Sequence, residues 1–216
     1  MRLNYLPEQI AEALLDIGAV TLRPDEPFTW SSGMKSPIYC DNRLTVFYPD
    51  IRDLIALGFA SMIRSDYPNA EVIAGIATGG IPHAAFVAQK LNLPMVYVRD
   101  KAKGHGKQNV IEGALKPGQN VVLIEDLIST GGSSLKAAVA VRDFGANVLG
   151  VISIFTYQLA QADENFKKEG IPFRSLTDYT TLIETAARLG KISPDGLQLL
   201  RLWREDPERF ARENGK

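Results

Sequence analysis

Between Glu71 and Phe155, short apolar runs alternate with stretches of helical periodicity, and few folds accommodate that rhythm. EVIAGIA, PMVYVR, NVVLIED and NVLGVISIF are short, and they lack the polar alternation of a strand with one wet face. They therefore predict buried parallel strands, covered on both sides. IPHAAFVAQKL and SSLKAAVAVRDF carry the period of helices between them. Strand–helix–strand order in one sheet implies right-handed crossovers, so the expected class is α/β with a central, mostly parallel sheet flanked by helices.

The flanks add a second texture. LPEQIAEALLDIGAV places Ile10, Ala13, Leu14 and Ile17 at helical spacing, with Pro7 suited to a first helical turn. The Pro-, Ser- and Gly-rich segment RPDEPFTWSSGMKSPIYCDNRL also holds aromatic residues, which predicts turns and short strands over about 20–48 rather than a tether. DIRDLIALGFASMIRSDY reads as a helix, and the tail over about 178–210 reads as two more, separated around Gly190 and Pro194. At 216 residues the chain suits a single domain.

Charge and cysteine content narrow the function classes. A net charge of −1 exerts no global pull toward nucleic acid or membrane, and neither is expected as a partner. One cysteine, Cys40, excludes an intrachain disulfide and a Cys-based zinc cage, leaving a small packing residue. No run of spanning length and no charged start followed by an apolar stretch appears, so a soluble, cytoplasmic protein is expected.

Three unusual loops each follow a predicted strand, and in open parallel sheets ligands bind beyond the carboxyl ends of strands. In EDLISTGGS, Glu125 and Asp126 end an apolar run and are followed at once by Ser129, Thr130, Gly131, Gly132 and Ser133. Backbone amides and hydroxyls at a helix start attract phosphate, whereas paired carboxylates repel it and accept from neighbouring hydroxyls. A ribose 5-phosphate satisfies both halves. RDKAKGHGKQN gathers Arg99, Lys101, Lys103, His105 and Lys107 among glycines, which on its own reads equally as a solvated charged loop or as a mobile clamp for a highly anionic group. ATGGIP offers Thr78, Gly79 and Gly80, where amides can approach a ligand closely or simply form a turn. His83, in the helix that follows, reads as a packed or capping residue.

VVLIEDLISTGGSS resembles the phosphoribosyl-diphosphate signature of the type I phosphoribosyltransferases, and R-x-x-A-K-x-H-G from Arg99 resembles the catalytic loop of the orotate phosphoribosyltransferases. FTWSSGMKSPIYCDNR is similar to the hood of the same enzymes, in the bacterial form, so the likeness extends from about Phe28 to Thr156. The resemblance implies transfer of a phosphoribosyl group from phosphoribosyl diphosphate to orotate, in de novo pyrimidine synthesis. It assigns Glu125, Asp126, Leu127, Ile128 and Ser129 to Ser133 to the ribose 5-phosphate, and Thr78, Gly79 and Gly80 to the diphosphate. Arg99, Lys103 and His105 would also contact the diphosphate, with Lys103 and Asp126 the residues that matter most for catalysis. Mg²⁺ would be bound mainly through substrate oxygens, with no dedicated protein cage, and a homodimer would share the basic loop between subunits.

The chain departs from many members of that family at Ser31, at Thr78-Gly79, at Asp100 and near Tyr157, where others carry lysines, a Tyr-Lys pair or a carboxylate-gripping arginine. The orotate contacts are then expected from Ser129, backbone groups of the hood and Lys35. A transferase for another base, a non-catalytic sensor of phosphoribosyl diphosphate, and a diphosphokinase remain alternatives. The last two lack, respectively, a basic nucleic-acid face and an ATP site in this sequence.

Overall fold

The computed structural model of the protein describes residues 7–29, 33, 35–100 and 110–214, and the βα alternation folds into one six-stranded sheet. The chain opens with α1 (Pro7–Asp16), β1 (Val20–Leu22), β2 (Phe28–Thr29), β3 (Lys35–Ser36), β4 (Ile38–Cys40), a 3-10 helix (Asn42–Phe47) and α2 (Pro49–Asp66). The alternating part runs β5 (Val72–Ile76), α3 (Gly80–Leu91), β6 (Met95–Val98), β7 (Ile111–Glu112), β8 (Asn120–Ile128), α4 (Gly132–Asp143), β9 (Asn147–Thr156), α5 (Ala160–Glu169) and β10 (Phe173–Asp178). It closes with α6 (Tyr179–Arg188), α7 (Pro194–Glu205) and α8 (Pro207–Asn214).

The strand order is β10-β9-β8-β5-β6-β7, parallel throughout except for the antiparallel β6–β7 pair at one edge. Central β8 accounts for the apolar run within NVVLIED: Val121 to Ile124 are all fully buried. Successive residues of a strand face opposite sides. Val122 and Ile124 accordingly pack with Ile10, Phe59 and Leu182 on one side, while Val121 and Leu123 pack with Ala138, Val141 and Phe166 on the other. From β5 the chain winds outward to β6, then returns to β5's other flank as β8. That reversal opens a crevice between the carboxyl ends of β5 and β8.

Two small antiparallel pairs, β1–β4 and β2–β3, form the hood. The tail holds it. Trp203 of α7 is fully buried beside the rings of Tyr157 and Tyr179, and its indole N–H donates to the Lys35 carbonyl at 3.3 Å. The tail has three helices where the sequence pattern predicts two, because Asp206 ends α7 and Pro207 restarts the chain as α8. Two further elements, α5 and β10, fall where the sequence shows no clear periodicity. α5 buries only Ala162 and Phe166, and β10 is a sheet edge with polar residues along its length.

Candidate active site

The strand β8 runs two residues past the acids, so Glu125 and Asp126 sit within paired backbone rather than on a loose loop. Side-chain alternation sends them to different surroundings. Glu125 is buried; its carboxylate accepts from the Ser134 hydroxyl and from the Asp126 N–H, both at 3.1 Å. Burial, then the neighbouring Asp126, pushes the Glu125 carboxyl well above the ordinary carboxylate range. Burial raises Asp126 as well, opposed first by its hydrogen bond with Glu125 and then, less, by the Arg43 guanidinium. Buried Glu125 and half-buried Asp126 thus end the strand with carboxyl oxygens that can accept from hydroxyl donors, and each bond from a ligand would offset part of their burial cost.

Immediately beyond lies the turn of Ser129, Thr130, Gly131 and Gly132, entering α4. Gly131 has φ +79°, a left-handed conformation, and a side chain there would strike the Phe166 ring of α5. The same helix supports the turn through Asn165, whose amide donates to the Thr130 carbonyl at 2.9 Å. Gly132 and Ser133 are exposed at the start of α4, where first-turn amides have no partner within the helix and the helix dipole favours an anion.

Thr78, Gly79 and Gly80 join β5 to α3 across the crevice, and the Ala77–Thr78 peptide is cis. A Cβ on Gly79 would collide with the Asp126 carboxylate, and one on Gly80 with the Ile124 carbonyl. The glycines thus let this loop lie directly on β8, which brings two of the three sequence-predicted loops into contact.

The third loop is described only at its root. Arg99 pairs with Glu112 of β7 at 2.9 Å, and its N–H donates to the Val110 carbonyl at 2.8 Å. Asp100 receives Lys136 of α4 on both its carboxylate, at 2.7 Å, and its carbonyl, at 2.8 Å. Lys103 and His105 lie outside the described residues, as does Ser31 of the hood.

Other predicted residues are placed as follows. Ser129 is half-buried at the start of the turn. Ile128 is fully buried and Leu127 partly packed against the core, so only their backbone is within a ligand's reach. Lys35 is half-buried in β3, with its carbonyl taken by Trp203. Cys40 is half-buried and its thiol is held up by burial, then by Asp126 and Asp41, so it stays a neutral packing group. His83 is buried, and burial pushes it down to about 4. Tyr157 stands in the core between Phe155 and Trp203, not in the crevice.

Sequence reasoning missed Ser134, Arg43 and Asn42. Asn42 is almost completely buried, and its side-chain amide donates to the Asp126 carbonyl at 2.7 Å across 84 positions of sequence. Its one visible signal was an amide amid the turn-rich hood. Among the described residues, no three His, Cys, Asp or Glu side chains are grouped to hold a metal ion, and no helix is long and apolar enough to cross a membrane.

Comparison with known proteins returns the same chemistry. A family model described as the phosphoribosyl transferase domain matches residues 49–187. Over 202 residues the chain is 59% identical to the orotate phosphoribosyltransferase of Halalkalibacterium halodurans, covering 94% of this chain and 96% of that protein. It is 57% identical to the Bacillus subtilis enzyme of the same name, with 95% of each covered. Among solved structures, Leishmania donovani UMP synthase superimposes with a TM-score of 0.81 at 28% identity, over 93% of this chain and 42% of that longer one. Orotate phosphoribosyltransferase from Aeropyrum pernix does so with a TM-score of 0.73 at 28% identity, over 85% and 99%.

Proposed function

The chain belongs to the type I phosphoribosyltransferases, within them to the orotate phosphoribosyltransferases, and from that premise we propose how its residues carry out the reaction. The phosphoribosyl group passes from 5-phosphoribosyl 1-diphosphate to N1 of orotate, forming orotidine 5′-phosphate and diphosphate, in de novo synthesis of UMP. The observation that carries this reading is the carboxyl end of β8, where the acid pair, the start of α4 and the Gly79–Gly80 loop packed on Asp126 and Ile124 meet.

The amides and hydroxyls of Ser129 to Ser133 take the 5-phosphate, and the dipole of α4 adds modestly to them. Glu125 and Asp126 accept from the ribose hydroxyls, with Ser134 orienting Glu125. The C–O bond to diphosphate breaks ahead of full bond formation to N1, leaving positive charge on the ribose and growing negative charge on the leaving group. Thr78, Gly79 and Gly80 supply amides to that diphosphate, and Arg99, Lys103 and His105 supply cations that act more strongly as its charge develops. His105 acts here by charge rather than as an acid or base. The hood, with Ser129 and Lys35, receives orotate and excludes water that would otherwise capture the ribosyl cation.

Mg²⁺ fits as a companion of the diphosphate. Hard cations take oxygen ligands and keep several waters, so substrate oxygens beside the Glu125–Asp126 pair suffice without a protein cage. When bound, it neutralises diphosphate charge. A homodimer sharing the basic loop is proposed with it, supported by the exposed apolar cluster of Tyr39, Leu44, Phe47 and Tyr48 beside the hood. A cytoplasmic setting suits a chain with a single free thiol.

The test is ultraviolet-monitored loss of orotate with phosphoribosyl diphosphate and Mg²⁺, beside uracil, adenine and hypoxanthine. Consumption of orotate alone is expected; consumption of another base would overturn the acceptor assignment while keeping the ribose-phosphate site. Light scattering reads the dimer. Mixing inactive Lys103→Ala and Asp126→Asn proteins should restore activity if sites are shared across subunits.

A further inference from the structure

Asp126 lies on a closed circuit of contacts that joins the hood to both described ligand loops. Its carboxylate abuts Gly79, and Gly79 leads through Gly80 into α3. One turn into α3, the His83 Nε2 stands 3.2 Å from the Thr45 hydroxyl of the 3-10 helix. That hydroxyl donates to the Asn42 carbonyl at 2.5 Å. Asn42 then returns to the start, donating its side-chain amide to the Asp126 carbonyl at 2.7 Å. The Cys40 thiol sets which way the amide points, because it donates to Asn42 Oδ1 at 3.2 Å.

Proton counting gives every member one role. A hydroxyl carries a single proton, and Thr45 gives its proton to Asn42. His83 must therefore donate from Nε2, which leaves Nδ1 as a bare acceptor, and Nδ1 is one of two buried side-chain atoms without a hydrogen-bond partner among the described residues. A protonated imidazole would bury an unsatisfied N–H at that place, which is why burial depresses this histidine and keeps it neutral. Asn42, Thr45 and His83 are all buried, so none of these bonds exchanges freely with water.

We propose that Asn42, Thr45 and His83 are positioning residues for phosphoriboside transfer, closing a frame that sets where the Asp126 carboxylate meets the ribose and where the Gly79–Gly80 loop meets the diphosphate. The proposal rests on Asp126 holding the ribose. None of the three touches substrate. They act by keeping the hood, the acid strand and the diphosphate loop in one register, and a displacement of about 1 Å at such a site costs on the order of 10²-fold in rate.

Three near-isosteric variants test it. Asn42→Leu removes the donor to Asp126 at equal heavy-atom count, Thr45→Val removes the hydroxyl, and Thr45→Ser restores it. Asn42→Leu and Thr45→Val should each lower kcat/KM for phosphoribosyl diphosphate by roughly 10- to 100-fold. Thr45→Ser should stay within about threefold of wild type, and the double variant should be little worse than either single one, since contacts in one network are non-additive. Full kcat/KM in folded Asn42→Leu protein, or effects of the two changes that simply multiply, would overturn the frame. If Asn42→Leu does not fold, the Val/Ser contrast at Thr45 decides alone. The rise in melting temperature with phosphoribosyl diphosphate, measured without any base, separates the two levels. Wild type that shows the rise but consumes no orotate refutes the functional reading, whereas a rise lost in Thr45→Val and kept in Thr45→Ser supports the frame.

Discussion

Gly79 lies against the Asp126 carboxylate so closely that no Cβ fits between them. The backbone at Gly79 has φ −67°, ordinary for any residue, so space alone demands glycine. Gly79→Ala should therefore push the acid or the diphosphate loop aside without straining its own backbone. Overpacking of this kind costs about 1–3 kcal/mol of stability, and kcat/KM for phosphoribosyl diphosphate should fall by at least about 10-fold. Steady-state kinetics beside thermal melting read both effects. A variant as active as wild type would show that the two loops are not held in register by this contact.

That contact also marks how far the sequence could be read. β8 was legible because a strand covered on both faces needs no alternation, and Val121 to Ile124 display an unbroken apolar run. The acid pair and the glycine turn after β8 stood out because Glu125, Asp126 and Gly131 follow a buried strand within one short run, whereas Thr78 to Gly80 alone read equally as a turn. β10 was not, since Phe173 to Asp178 form an edge strand bearing Arg174, Ser175, Thr177 and Asp178. α5 was hidden by its polar surface, yet Asn165 and Phe166 support the Ser129–Gly132 turn. Asn42 was hidden for a different reason: its partner lies far away in sequence, and local periodicity carries no information about such pairs.

The acid pair should leave a pH signature in the ligand-free protein. Glu125 has a folded-state pKa raised above its unfolded value, chiefly by burial. A raised carboxyl means that the native state binds more protons than the unfolded chain, so its contribution to stability is complete at acidic pH and is lost as pH rises. The melting temperature of wild type should fall between about pH 5 and about pH 9, beyond any fall due to other groups. Glu125→Gln keeps the shape and removes the titration, so its melting curve should be flatter over that range and higher at the alkaline end. Parallel pH slopes for the two proteins would contradict the burial argument.

Trp203 should matter to the hood although it lies in the tail. It is fully buried, packs on Tyr157 and Tyr179, and donates to the Lys35 carbonyl. Trp203→Ala should cost about 3–5 kcal/mol. Trp203→Phe keeps an aromatic ring but loses the donor and part of the packing, so its stability loss should be about 1–3 kcal/mol. If the tail orients the hood, Trp203→Phe will raise KM for orotate more than KM for phosphoribosyl diphosphate. Equal changes in both constants would reduce Trp203 to a packing residue.

Lys103→Ala addresses the leaving group. On the proposed assignment, Glu125, Asp126 and the Ser129–Ser133 turn would hold parts of the substrate whose charge changes little during reaction. The diphosphate is different, because its negative charge grows as the C–O bond breaks, and a cation aimed there stabilises the transition state more than the ground state. Loss of one such oriented group typically lowers turnover by roughly 10²–10³-fold. Lys103→Ala should show that loss in kcat with a much smaller change in KM for phosphoribosyl diphosphate, and with a melting temperature equal to wild type. The opposite pattern, kcat preserved and KM raised, would make Lys103 a uniform binder of the diphosphate. The catalytic share would then pass to the amides of Gly79 and Gly80, which already lie against Asp126 and Ile124.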